Sequence, residues 1–535
     1  MRPFLLGLLC LPLALAQSPA PPAKPATPPD RAAFQAATSE KDPSKKIAAL
    51  EKFLAGFPDS RMMTTMARRE LVSTALKQDP AQGVAKAASL TASLPSNDAA
   101  VINRFLASEL IAAKKLLPEA ETAALLALRQ FNFDEFAAGA RKDAEDYKQS
   151  PPSADQLKVR FHSQTAQYKE TAGQVMIETG KTAEARAMLL DALRSNPALT
   201  NSAAALASLA EKEGKAPEAL GYFAHAMLAK PSPASRTAFA AAWKKLKGDL
   251  DPTSYLDDLY RTAFKSPIHP EQYGASPKRS TRIVLGEIYT GAGCPPCVAA
   301  DLAFDFVLER YPRSDVAIVA YHEHIPRPDP MANTDTIARW KWQQGRGVPT
   351  YAIDGEPVGM GGGGRDSAGE IAHLLRGKID ARLETAPGAR LNLSVSHKGN
   401  AVEAKARVDK AAASPDLVLN IVLVEKELTY SGENGIRFHP MVARSIASYP
   451  LNGGKAIKQT HRFDLAQVQD ALVRHIDAFE KHDERHNKDG KFRFFERKTQ
   501  INASHLAVVA FVQDSKTKQI LQAVFSEALP RTATD

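Results

Sequence analysis

The sequence predicts a multidomain chain: an α-helical repeat region, then an α/β domain, then a β-sandwich. Three observations carry this. From about residue 31 to 248, Ala, Leu, Glu and Lys recur at helical spacing with almost no β-branched runs. From 281 to 386, β-branched runs alternate with helical patterns. From 388 to 530, strand patterns and hairpin turns dominate, broken by one helix. At roughly 150 residues per domain, 535 residues leave room for three or four such units.

Composition narrows the function classes. The chain is 44% hydrophobic and 24% charged, which suits folded domains and is too apolar for wholesale disorder. Its 69 Lys and Arg against 60 Asp and Glu leave a formal charge of +9. These cations stand singly or in pairs among acids, which excludes a dedicated nucleic-acid surface. After the N-terminus no run of about 18 apolar residues occurs, so no internal membrane span is expected.

Residues 1–16, MRPFLLGLLCLPLALA, have a basic start at Arg2, an apolar stretch and a small-x-small end at Ala14-Leu15-Ala16. That pattern predicts a signal peptide cleaved after Ala16 and a periplasmic or secreted protein. Cys10 follows Leu9, where a lipoprotein signal wants a small residue, so lipidation there is the lesser expectation. Residues 17–30 hold six prolines among fourteen residues and read as a semi-rigid linker. Removing the signal leaves one cysteine pair, Cys294 and Cys297. A disulfide closing so short a loop removes little entropy from the unfolded chain, so the pair reads as chemistry rather than reinforcement.

Within 31–248, Gly180-Lys181 recurs as Gly214-Lys215, Glu184-Ala185 as Glu218-Ala219, Ala192 as Ala226 and Pro197 as Pro231, all offset by 34 residues. This resembles the tetratricopeptide repeat, a helix–turn–helix unit of that period. Ala185 and Ala219 let paired helices approach closely, and the prolines end the second helix of each unit. Such an array either recruits a protein partner or simply stacks. Residues 249–280, with scattered Pro, Gly and Ser, read as a connecting segment.

In the α/β part, the strand-like RIVLGEIY (282–289) runs into Thr290-Gly291-Ala292-Gly293 and then Cys294-Pro295-Pro296-Cys297, followed by a helix through residue 311. Both prolines suit a first helical turn. Cys294 would lie at the helix N-terminus, where free amides and the dipole favour a thiolate, with Cys297 more shielded. A second buried strand, DVAIVAY (315–321), comes next. Gly347-Val348-Pro349-Thr350, an Asp354-Gly355 hairpin and a closing helix over 367–383 then complete the unit.

Strand, CxxC at a helix start, strand, x-Pro-Thr, hairpin and final helix in this order resemble the thioredoxin-like fold family over roughly 278–386, in the manner of secreted bacterial thiol–disulfide oxidoreductases. The resemblance implies a cis Val348–Pro349 bond, a Val348 backbone that pairs with an extended substrate, and adjacent Thr350. It also implies a buried acid beneath the resolving cysteine, for which Glu287 is the candidate after a one-residue register adjustment. Two departures stand out. Pro296 removes an amide that could donate to the Cys294 thiolate, which predicts a more reducing couple. An insertion, 322–345, carries Trp340 and Trp342, which either shape a substrate groove or cap the fold.

The site expectation is therefore Cys294 as attacking thiol, Cys297 as resolving thiol, Pro349 and Glu287 in support, and Val348, Thr350, Trp340 and Trp342 toward substrate. The implied activity is exchange with protein thiols and disulfides. It needs no cofactor beyond the redox-active pair, and a separate redox partner recycles it. A copper-binding chaperone is the competing chemistry, with His322 and His324 beside the thiols. A secreted scaffold with a purely structural α/β module is the competing class. Farther on, His475, His482 and His486 share a helical face with Leu472, Ile476 and Phe479 and read as amphipathic packing. The last part, with strands at 391–409, 417–428, 505–514 and 518–528, suggests an immunoglobulin-like β-sandwich in a docking or structural role.

Overall fold

Proline at the first turn and carboxylates at the caps start the N-terminal helices. In the computed structural model, which describes residues 28–529 apart from 147, 149, 413, 452–455 and 489, α1 (Pro29–Ser39), α2 (Pro43–Gly56) and α4 (Pro80–Thr91) each open on proline. A missing N–H costs no helical bond there. The Asp42 and Asp79 side chains cap α2 and α4. With α3 (Arg61–Gln78) these helices enclose Leu50, Phe53, Ala67 and Leu71. They form the first of two compact units, which ends at Leu94. The helical region expected as one domain over 31–248 is thus divided at this point. The expected signal peptide and residues 17–27 of the linker lie outside the described residues.

The second unit begins with α5 (Ser96–Ala113), α6 (Leu117–Gln130), α7 (Phe133–Asp146), α8 (Ala154–Glu178) and α9 (Thr182–Ser195), followed by α10 (Thr200–Lys212), α11 (Ala216–Ala229) and α12 (Pro233–Lys247). Helices α9 and α11 keep the 34-residue offset of the sequence repeat. Each is preceded by a glycine at positive φ, Gly180 at 82° and Gly214 at 71°. There the next amides, of Lys181 and Lys215, reach back to Met176 and Ala210 and close the preceding helix. This part of the chain is a helical repeat. Residues 249–280, expected as a mere connection, contain a further helix, α13 (Thr253–Ala263), whose Leu256 and Tyr260 pack with Phe239 and Trp243 of α12. Scattered Pro and Asp at its ends concealed a short amphipathic face of buried residues.

After α13 come β1 (Val284–Thr290), α14 (Cys297–Arg310), β2 (Val316–His322), α15 (Thr334–Trp342), β3 (Thr350–Ile353), β4 (Glu356–Met360) and α16 (Ala368–Leu383). Strands β1 and β2 are parallel and fully buried, while β3 and β4 join β1 as an antiparallel hairpin. Asp354 and Gly355 both take positive φ at its tip, as a two-residue hairpin turn requires. The rest of the chain adds β5 (Ala389–Lys398), β6 (Ala401–Ala411), β7 (Leu417–Thr429), β8 (Phe438–Pro450), β9 (Ile457–Asp464), α17 (Leu465–His482), β10 (Leu506–Asp514) and β11 (Ile520–Glu527).

One mixed eight-stranded sheet, ordered β11-β10-β7-β8-β2-β1-β3-β4, runs through both sequence regions, because β8 pairs in parallel with β2 at Ala320 and Val442. The expected separation of an α/β domain from a sandwich near residue 387 is therefore a break in the chain between α16 and β5, not a break in the sheet. Strands β5, β6 and β9 form a small antiparallel sheet. It packs through Leu391, Val402 and Val408 onto Leu419, Ile421 and Val508 of the large one. Nearly dry ion pairs brace the large sheet, among them Arg282 with Asp354 at 2.8 Å and Arg444 with Glu425 at 3.0 Å.

Side-chain alternation along β1 sets the two faces. Gly286 lies against Phe304 of α14, and Thr290 bonds Asp301 of the same helix. Glu287 and Tyr289 point the other way, to Arg339 and Trp340 of α15. Among the described residues no helix is long and apolar enough to cross a membrane.

Candidate active site

Strand β1 ends at Thr290 and the chain turns through Gly291 to Gly293 before the cysteines. Cys294 and Cys297 form a disulfide with Cα atoms 5.3 Å apart. Helix α14 starts at Cys297, with Pro296 at its N-cap position. Cys294 thus stands just before the helix, its carbonyl accepting the Cys297 N–H at 3.1 Å. The Cys294 sulfur lies 3.7 Å from the Val348 carbonyl oxygen, and the Val348–Pro349 bond is cis. Thr350 donates its hydroxyl to the Gly347 carbonyl at 2.6 Å, which tightens the same loop. Cys294, Cys297, Val348, Pro349 and Thr350 are brought together.

Both cysteines are fully buried, Cys294 as much as Cys297. The expectation that Cys297 would be the more shielded of the two is corrected, and three segments from elsewhere in the sequence pack on the turn that carries them. The 322–329 loop packs on Gly293 so closely that an added Cβ would stand 2.8 Å from the Arg327 Cβ. Asn434 donates its N–H to the Ala292 carbonyl at 2.9 Å. Gly363 donates its N–H to the Pro296 carbonyl at 2.9 Å, and a Cβ on Gly362 would lie 2.1 Å from that oxygen. Arg327 and Glu433 pair across two of these segments. Pro295 and Pro296 remain exposed at the rim.

Glu287 is placed differently from the expectation. It is fully buried on the α15 face, where Oε1 accepts from Arg339 Nη2 at 2.7 Å and from the Tyr321 hydroxyl at 3.1 Å. The sheet separates it from α14 and from Cys297. A one-residue change of register moves a strand side chain to the other face. That slip is the source of the misplacement. The acid on the correct face is Asp301, one helical turn beyond Cys297 on α14. The Thr290 hydroxyl donates to its Oδ1 at 2.7 Å, and burial pushes its carboxyl up to about 7. Asp305, a turn farther, is pushed up to about 8 by burial and then by Asp301. Two acids spaced i, i+4 among the apolar residues of the first part of α14 were the sequence signal for this pair.

Trp340 and Trp342 also sit on the α15 face. Trp340 is a core residue, 5.2 Å from the Tyr289 ring. Trp342 is exposed, its ring between the cations of Arg339 and Lys518. Neither is gathered around the disulfide, because the Arg339–Glu287 pair anchors α15 to the opposite side of β1.

His322 and His324, the alternative metal ligands, are engaged elsewhere. His322 Nδ1 bonds Asp329 Oδ2 at 2.8 Å. That carboxylate also accepts the Ala292 N–H at 2.6 Å and the Met331 N–H at 2.8 Å. Burial would raise Asp329, but His322 and these donors hold it below the usual range. Asp329 thereby fixes the turn before the cysteines, a role sequence reading did not detect. His324 Nδ1 accepts the Asp329 N–H at 3.0 Å and its Nε2 faces His475 Nε2 at 3.1 Å. Burial lowers the His324 imidazole to about 4. Of the other two histidines of that segment, His486 bonds Asp483 at 3.1 Å, and His482 is exposed at the end of α17. Among the described residues no three His, Cys, Asp or Glu side chains are grouped as metal ligands.

No protein-family model matches the chain, and no curated protein matches it. Among solved structures, HBP35 of Porphyromonas gingivalis is similar at 15% identity and a TM-score of 0.31, over 48% of this chain and 79% of that one. Protein AGR_C_4864 of Agrobacterium tumefaciens matches at 14% identity and a TM-score of 0.29, covering 49% and 98% of the two chains. The tetratricopeptide-repeat protein TTC0263 of Thermus thermophilus matches at 19% identity and a TM-score of 0.26, covering 40% and 98%.

Proposed function

We propose that this protein is an exported thiol–disulfide oxidoreductase acting on protein disulfides through a thioredoxin-like unit. In this reading β7, β8, β10 and β11, with the small sheet, are an immunoglobulin-like sandwich fused edge-on to that unit, and the helical repeats recruit a protein partner. The observation that carries it is the Cys294–Cys297 disulfide at the start of α14 with its sulfur against the carbonyl of the cis Val348–Pro349 link.

In the reducing direction the Cys294 thiolate attacks one sulfur of a client disulfide. A Cys294–client disulfide forms and the other client sulfur leaves as a thiolate. The Cys297 thiolate then attacks the Cys294 sulfur, which restores the internal disulfide and releases the second client thiolate. The client gains two electrons and the protein loses two, so a separate dithiol partner must reduce it again. Oxidation of a client is the same sequence reversed. Asp301, neutral below about pH 7, takes the proton-holding role in place of Glu287. Because both sulfurs are covered, exchange requires the glycine segment 361–364 or the Arg327–Glu433 contact to move aside.

Insulin reduction by wild type and Cys294→Ser tests the reading: activity lost in the variant supports it, and equal activity removes it. Full burial of both cysteines favours one other reading, a scaffold in which the disulfide is structural. Trapping with Cys297→Ala separates the two, since only an exchanger accumulates client-linked species.

A further inference from the structure

Beside the covered turn runs a groove of about 450 Å³, walled by the start of α12, by Pro328, by Tyr430 and Glu433, and by the aromatic run Phe492 to Phe495. It adjoins two of the segments that pack on the cysteine turn. Pro328 follows Arg327, which packs on Gly293, and Glu433 precedes Asn434, which bonds Ala292. An extended chain advances about 3.3–3.6 Å per residue, so a few residues carry a bound segment from this groove to the cysteine turn.

The lining has a definite chemistry. Phe495 is 74% exposed, an unusual cost for a large aromatic side chain. The guanidinium of Arg236 lies 4.2 Å above its ring and donates to the Ser431 carbonyl at 3.3 Å. Among the described residues no carboxylate stands within ion-pair distance of Arg236. Glu433 is already paired with Arg327, and Arg493 holds only a loose 3.5 Å contact with Glu480. Glu496 and Glu433 act on Arg236 through space without pairing with it, and aromatic surface next to a cation that holds no ion pair matches an apolar side chain with a neighbouring carboxylate.

We propose that this groove docks the client polypeptide, through a segment bearing an aromatic or large aliphatic residue beside an acidic one. The proposal deepens the exchange reading and rests on it for the client's identity. It places client selection on the helical repeat and the 492–495 run together, so the sheet domain alone does not form the site.

The test uses the full chain with Cys294→Ala and Cys297→Ala, which binds without reacting. A fluorescent decapeptide with a central Phe-Asp is compared by anisotropy with one carrying Ala-Lys. The Phe-Asp peptide is expected to bind about tenfold or more tightly, and Phe495→Ala or Arg236→Ala each to remove most of that preference. Phe495 is largely solvent-exposed, so its replacement leaves folding intact. Equal binding of the two peptides, or unchanged binding in both groove variants, overturns the proposal. Reduction of a small aromatic disulfide by the chain with its cysteines intact reports the exchange chemistry separately. Peptide selectivity without that reduction keeps the groove and removes the redox reading, while reduction without selectivity does the reverse.

Discussion

Replacing Glu287 by Gln removes one charge from a pair that has almost no solvent. Glu287 is fully buried, and the Arg339 side chain is 8% exposed. Arg339 spends Nε and Nη2 on Glu287 and Nη1 on Gln513 at 2.8 Å, and lies 5.2 Å from the Phe511 ring. Stripping the partner from a buried charge costs about 3–5 kcal/mol. Glu287 Oε2 makes no hydrogen bond, so the native pair is less than fully satisfied and the loss belongs at the lower end. At about 2–4 °C per kcal/mol for large domains, the melting temperature falls by about 6–12 °C. Glu287→Met combined with Arg339→Leu removes both charges and recovers most of the loss. Circular-dichroism melts of the three proteins, with insulin reduction measured well below the transition, check this. A Glu287→Gln protein that melts unchanged but loses exchange activity tenfold would refute the assignment, and return the proton to this side of the sheet.

Three further outcomes are expected. Pro296→Ala supplies an N–H near Cys294, stabilises its thiolate and shifts the couple toward oxidising values by tens of millivolts, about 30 mV for each 1.4 kcal/mol. Equilibration with glutathione reads this, and an unchanged or more reducing value contradicts it. Gly362→Ala pushes a methyl to 2.1 Å from the Pro296 oxygen, so the glycine segment must lift. Reduction of the disulfide by dithiothreitol should then be several-fold faster, and an unchanged rate means the cover lies elsewhere. Glu323 is buried with an unbonded Oε1, and burial, then Asp329, pushes it up to about 9. Its neutral form is favoured by the fold, so this contribution is complete below about pH 4.3 and is lost as pH rises through about 9. Glu323→Gln should therefore gain on wild type by at most about 1.4 kcal/mol per pH unit across that window. Urea titrations from pH 5 to 9 would show it, and a pH-independent difference rules it out.

Local chemistry was legible in the chain before any fold was known. The 34-residue period marks α9 and α11, Asp354-Gly355 marks the β3–β4 tip, and the CPPC run marks the start of α14. Each of these signals acts among neighbours: a cap, a turn, a helical face. Helix α13 was missed because its buried face shows only once α12 supplies a partner.

The sequence by itself determined that a cysteine pair stands at a helix start, downstream of paired-helix repeats and upstream of strands. Tertiary structure alone decided that β8 joins β2 into one sheet, that Glu287 faces Arg339 and Asp301 faces Thr290, and that three distant segments pack on the turn carrying the buried cysteines. The reason is physical. Which face a strand residue takes, and what lies on top of it, depends on register and packing between segments far apart in the chain, as Gly291 and Asn434 are, 143 residues apart. No periodicity within either segment records that partner.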